Sequence, residues 1–190
     1  MTNERKRPYG WRGTIHDFLL VPKDEWRSAL YLHHVARMNR PADTSQGAAW
    51  EELFDVLKKE LKQLVQLKPE LEYYTLIFEY ESPRGSIRGP DLTVLGSSVF
   101  ILEFRKCDEV IQAHVDITGA YAQDVKRFHP QPEQAEIIPV LVCAQAKDLI
   151  RRVGDVIILS PDHIMDFFNV QSELETGFPL DAGEWLAAGS

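Results

Sequence analysis

Apolar residues recur at three- and four-residue steps through Trp50, Leu53, Phe54, Leu57, Leu61, Leu64 and Val65, the spacing of one buried helical face. This helix must stop before Pro69, because a proline pushes the preceding residue out of helical backbone geometry. Upstream, residues 23–38 place Trp26, Leu30 and Leu32 as the apolar positions of another helix. The run Arg40-Pro41-Ala42-Asp43-Thr44-Ser45 between them reads as a loop with Thr44 or Ser45 as N-cap. Residues 1–22 are polar with scattered aromatics (Tyr9, Trp11, Phe18) and read as a strap lying over a core.

The period then changes. Residues 73–81 are rich in aromatic and β-branched side chains and predict a strand, followed by a turn at Ser82-Pro83-Arg84-Gly85. Two short strands, 91–95 and 99–105, flank Gly96-Ser97-Ser98 and predict a hairpin. Helical spacing returns over 115–129, where Ile117, Tyr121, Val125 and Phe128 share a face. Gly119 weakens that helix and implies a close approach by a neighbour. Residues 137–143 form an unbroken apolar run, as expected of a strand covered on both faces. Another strand is expected over 156–159, and Ser160-Pro161-Asp162 opens a helix reaching 168. The order predicts an α/β fold, a mixed sheet with helices on both faces. It divides the chain into an N-terminal strap and helix (1–45), a core (46–170) and a C-terminal tail (171–190).

Composition narrows the function classes. With 190 residues, 44% apolar, the chain suits one globular unit with a full core. No apolar run approaches the roughly 20 residues a membrane-spanning helix needs, and no apolar stretch follows the charged start as in a signal peptide. Cys107 and Cys143 fall in or beside strands and fit a reduced, cytoplasmic setting without a disulfide. The acidic neighbours Asp108 and Glu109 disfavour Cys107 as a thiolate nucleophile. The six histidines show no metal-ligand spacing, and His129 reads as a cation at a helix C-terminus. A net charge of −8 argues against a broad nucleic-acid surface working by bulk attraction. It leaves room for a local groove, for which Arg84, Arg88 and Lys106 are the nucleic-acid-binding candidates.

The candidate chemistry lies in the hairpin. Asp91, after Pro90, opens the first strand and Glu103 lies near the end of the second, so the turn sets them opposite one another to within about one residue. Alternation puts Val99, Ile101, Glu103 and Arg105 on one face, and Lys106 on the other. A carboxylate in so apolar a run needs a partner. A divalent cation held by Asp91 and Glu103 is one solution, and an ion pair with Arg105, Arg84 or Arg88 is another.

Residues 46–143 resemble the PD-(D/E)XK nuclease superfamily, whose core runs helix, three strands, helix, strand. More closely, the chain resembles the N-terminal nuclease-like region of bacterial Schlafen-group-3 DNA/RNA-helicase-type ATPases. The matching stretches include Gln46-Gly47-Ala48-Ala49-Trp50, Ile77-Phe78-Glu79-Tyr80-Glu81-Ser82-Pro83-Arg84, Arg88-Gly89-Pro90-Asp91, residues 99–105, residues 120–129 and Pro139-Val140-Leu141-Val142. The end, Glu184-Trp185-Leu186-Ala187-Ala188, resembles the segment leading into the ATPase. The resemblance implies a Mg²⁺- or Mn²⁺-dependent hydrolase of DNA or RNA, with Asp91 and Glu103 as metal ligands and Arg105 as the third catalytic residue. It implies a further acid from the first core helix, Glu51; Glu79, on the first strand, is another acid able to face the site. It also implies a neighbouring ATPase or helicase domain as partner, while no phosphate-binding Gly-x-x-x-x-Gly-Lys-Ser/Thr loop occurs in this sequence.

Two departures are visible. Arg105 stands where the superfamily has lysine, and arginine does not act as a base. Ile117, four residues before Tyr121, stands where related nucleases often carry glutamine. The residues therefore allow an active metal-dependent nuclease, or a catalytically degenerate nuclease fold that binds nucleic acid or docks on a helicase-like protein. They also allow an unrelated α/β protein in which Glu103 and Arg105 form a structural pair.

Overall fold

The computed structural model describes residues 7–81, 88–132 and 135–190. Seven strands form one mixed sheet in the order β1-β2-β3-β4-β5-β7-β6. They are β1 (Trp11–Thr14), β2 (Thr75–Phe78), β3 (Leu92–Leu95), β4 (Val99–Arg105), β5 (Ile137–Cys143), β6 (Ile150–Val153) and β7 (Val156–Leu159). The first four are antiparallel neighbours, β5 runs parallel to β4 and β7, and β6 closes the far edge antiparallel. Six α-helices flank the sheet: α1 (Ile15–Leu20), α2 (Lys23–Met38), α3 (Thr44–Leu67), α4 (Gln112–Phe128), α5 (Ile164–Ser172) and α6 (Ala182–Ala188).

Strand alternation separates two cores. Leu76, Phe78, Leu92, Val94, Phe100 and Leu102 face α1, α2, α3 and α5. Ile77, Leu95, Val99 and Ile101 face α4 and α6. The first core is dense in rings: Phe18, Trp26, Phe54 and Phe78 approach one another with centroids 5.1–6.4 Å apart. The segment over 1–45 thus supplies part of the same core as α3. The strap expected over 1–22 is, in its described part, an edge strand and a helix. Thr14 starts α1 by accepting from the Asp17 amide, while the Asp17 carboxylate accepts from the Thr14 amide, a reciprocal cap.

Other expectations change in detail. Asp43, not Thr44 or Ser45, caps α3, its carboxylate accepting from the Gln46 amide at 2.8 Å. Leu32 lies on the exposed side of α2, because the buried stripe is Trp26 and Leu30, four apart. The strand expected over 73–81 is only Thr75–Phe78; Pro69–Tyr73 forms a 3₁₀ turn before it. The turn expected at residues 82–85 lies outside the described residues. On α4 the buried stripe is Val115, Thr118, Tyr121, Ala122 and Val125, leaving Ile117 exposed. The helix expected to open at Ser160 starts as a 3₁₀ turn, Pro161–His163, and continues as α5. β6 was hidden by its exposed Arg151 and Arg152, and Gly154, at φ +58°, turns it into β7.

The C-terminal tail is also structured. Trp185 on α6 is buried, stacks on His129 with centroids 3.9 Å apart and donates from Nε1 to Gln131 Oε1. His129 is therefore not a surface cation: burial lowers its pKa. Among the described residues no helix is long and apolar enough to cross a membrane.

Gly119 faces no close approach. A methyl group there would meet Val156 Cγ2 at 3.6 Å, an ordinary contact. Gly119→Ala is expected to stabilise the protein by about 1 kcal/mol in urea unfolding; a loss of stability would show that α4 needs the glycine.

Candidate functional site

The site follows from the sheet register. Leu92 on β3 pairs with Leu102 on β4, so one step further along the hairpin sets Asp91 across from Glu103. Alternation puts Ile101 and Glu103 on the face covered by α4. Asp91 is fixed from two directions. Its Oδ2 accepts from the Phe104 amide at 2.8 Å, and its carbonyl accepts from the Glu79 amide at 3.1 Å. The cluster lies where β3 begins and where β2, β4 and β5 end, and α4 crosses over it between the parallel strands β4 and β5.

Glu103 is the most constrained group. Its exposure is 0%, and among the described residues neither carboxylate oxygen accepts a hydrogen bond. Two guanidinium groups approach it instead. Arg105 Nε lies 3.3 Å and Arg88 Nη2 3.5 Å from Oε1. The same Arg88 nitrogen lies 3.4 Å from Asp91 Oδ1. Burial raises the Glu103 pKa well above the carboxylate range, and the Asp91 charge adds to the rise; Arg88 and Arg105 oppose it. The proximity of the Asp91 carboxylate also favours the protonated form of Glu103.

Glu79 joins the cluster from the end of β2. Its φ of +55° is left-handed, which is uncommon for a residue with a side chain. It ends the strand and lets the carboxylate accept from Trp50 Nε1 of α3 at 3.1 Å. Burial raises its pKa, the charge of Asp91 raises it further, and the Trp50 hydrogen bond opposes the rise. Tyr121 closes the α4 side. Burial raises its phenol pKa, with the Glu103 charge next. It packs with Val99 and Ile101 as the expected core residue, and it also stands within the field of the acids.

The remaining candidates separate. Glu51 is not gathered into the cluster: it projects from α3 toward α2, half-exposed, and pairs with Arg27. Its place one residue past Trp50, off the buried stripe, directs it there. Arg105 is partly buried against Glu103. Lys106 follows the last residue of β4 and is exposed. Arg84 lies outside the described residues. Two contributions were harder to see. Arg88 is one of the ion-pair partners the sequence offers for Glu103; its simultaneous approach to Asp91 is what the fold adds. The indole of Trp50 reads as core, yet its N–H serves Glu79.

Asp91 and Glu103 are the acids that would face a cation here, and Arg105 and Arg88 already lie within 3.5 Å of Glu103 Oε1. Among the described residues, the three acid or histidine side chains whose ligand atoms all lie within 4.8 Å of one another are elsewhere, at Asp148, Asp162 and His163. There His163 is already held by Asp148 at 2.7 Å and Asp166 at 3.0 Å. No family model, no curated protein and no solved structure matches this chain. Its chemistry rests on the cluster itself.

A raised carboxyl pKa means that the folded protein binds more protons than the unfolded chain above the ordinary glutamate value of about 4.3. Glu103 and Glu79 are both of this kind. Their contribution is therefore most favourable at low pH and is lost as pH rises through the raised pKa. Glu103→Gln keeps the neutral shape and removes the titration. Between about pH 5 and pH 9 its melting temperature is expected to fall less than that of the wild type. Parallel pH profiles for the two proteins would contradict this assignment.

Proposed function

We infer that the chain carries a metal-dependent nuclease-type site acting on nucleic-acid phosphodiesters. The observation that carries this reading is Glu103: a fully buried carboxyl set opposite Asp91, with two guanidinium groups beside Oε1 and no hydrogen bond to either oxygen among the described residues. Such a group is costly to bury for structural reasons alone. The order α3-β2-β3-β4-α4-β5 supports a PD-(D/E)XK core, as do Pro90-Asp91 and Glu103-Phe104-Arg105 within it.

Asp91 and Glu103 would hold Mg²⁺ or Mn²⁺. Magnesium retains several waters and takes one or two carboxylates, so this pair is adequate without Glu51. A bound ion would polarise a phosphate oxygen and lower the pKa of a water. The chain's own groups supply the remainder. The Asp91 carboxylate is held in place by the Phe104 amide. Arg105, always charged, would orient a phosphate through its planar fork and cannot accept the proton of a water. Tyr121 and the α4 backbone restrict water on the helix side. A groove of about 530 Å³ whose lining includes Arg7, His33, Arg37 and Glu81 lies beside Glu79, whose carbonyl His33 approaches. Its charge is mixed: Arg37 pairs with Glu81, and burial lowers the pKa of His33.

Arg105 favours a second reading. With arginine in place of the superfamily's lysine, the same fold would bind nucleic acid, or dock on a helicase-type ATPase, without cleaving.

Incubation with DNA and RNA in Mg²⁺ or Mn²⁺ separates these readings. Cleavage by the wild type, reduced at least about 100-fold by Asp91→Asn or Glu103→Gln, is expected of the nuclease. A wild type that cuts no better than either variant would sink it. Salt-dependent binding without cleavage, with cleavage gained in Arg105→Lys, would establish the degenerate form.

A further inference from the structure

Arg88 places one nitrogen between the two acids, 3.4 Å from Asp91 Oδ1 and 3.5 Å from Glu103 Oε1. An ion bound by both carboxylates would need that same space. Both contacts exceed the 2.7–2.9 Å of a well-formed charge-assisted hydrogen bond, so the guanidinium faces the two acids mainly through its charge. Its side chain is 44% exposed, whereas Glu103 is wholly buried. Arg105, the other cation on Glu103, belongs to β4 and is held by the sheet. Of the two, Arg88 is the more exposed, and it is carried on the segment before β3 and not on a central strand.

The chain path delivers Arg88 to this position. A methyl group on Gly89 would lie 1.9 Å from the Tyr80 carbonyl oxygen, closer than any real contact. Arg88-Gly89-Pro90 is thus pressed against the backbone just beyond β2, and only glycine permits that approach. Any side chain at 89 would lift the segment and carry Arg88 off the acids.

We propose that Arg88 is a built-in cation that closes the Asp91–Glu103 site and must be displaced before a divalent metal binds. This rests on the reading of Asp91 and Glu103 as metal ligands. Arginine stays charged at every accessible pH, so the exchange is cation for cation: the arginine leaves as the metal enters. The closed form keeps the buried acids compensated without metal, at the cost of a weaker metal affinity.

The test is calorimetric titration of the full chain with MnCl₂, using the wild type, Arg88→Ala, Arg88→Gln and Glu103→Gln. Circular dichroism checks that each is folded, and Arg88→Gln covers the case in which the alanine variant does not fold. Both Arg88 variants are expected to bind Mn²⁺ at least about tenfold more tightly than the wild type. They are also expected to melt lower without metal and to recover with it; Glu103→Gln is expected to lose binding. Unchanged or weaker Mn²⁺ binding in folded Arg88 variants, with binding by the wild type intact and lost in Glu103→Gln, would overturn the closure and leave the metal site standing. No Mn²⁺ binding by any folded protein would overturn both.

Discussion

The burial of one carboxyl group constrains this molecule more than any other interaction. Glu103 sits on β4, between the antiparallel β3 and the parallel β5, at a position where its neighbours on the same face are Ile101 and Val99. Transfer of an ionised carboxylate into such surroundings costs several kcal/mol even after relaxation. Each nearby feature offsets part of that cost. Arg105 comes from the next position on the same strand face and Arg88 from the segment before β3, while the nearby Asp91 favours its protonated form. Remove that carboxyl and the close approach of Gly89 to Tyr80, which brings Arg88 in, has no evident purpose.

The scaffold explains why these groups meet. An antiparallel hairpin brings residues distant by a dozen positions face to face. The parallel β4-α4-β5 crossover then covers one side of the pair with Tyr121. On the other side of the sheet, rings from α1, α2 and α3 pack on Phe78, which anchors the end of β2. That anchor is what holds Glu79 at its left-handed turn beside Trp50. The site is thus built at the boundary of both cores, on strand ends whose positions the packing determines.

Much of this was legible in the sequence. Residues 23–38, 99–105, 137–143 and 156–159 coincide with α2, β4, β5 and β7, because strong periodicity or unbroken apolar runs mark buried elements. The hairpin turn at Gly96-Ser97-Ser98 was equally readable, and with it the facing of Asp91 and Glu103. What escaped has physical reasons. β1 and β6 are four-residue edge strands; β6 mostly faces solvent, and β1 is half-buried with Trp11 as its one large apolar side chain, so neither carries an apolar alternation. α6 is short and is held by a single buried tryptophan. Ile117 looked like a core position because it fits one helical spacing, whereas the packed stripe is offset by one and two residues. Glu51 was misplaced because the acid nearest in sequence to Trp50 points toward Arg27. The left-handed turn that aims Glu79 at Trp50 leaves no trace in the pattern of a strand. The pairing of Glu103 with Arg105 or Arg88 was among the expectations; that one Arg88 nitrogen meets both acids was not.

A buried acid, a facing acid and an arginine between them are what the proposed closed cation site rests on. The most direct measurement is a crystal structure determined after soaking in MnCl₂, with anomalous scattering recorded at the manganese edge. A manganese peak between Asp91 and Glu103, with the Arg88 guanidinium moved out toward solvent, is the expected result. Arg88 still bridging the two acids, and no peak between them at saturating Mn²⁺, would contradict it.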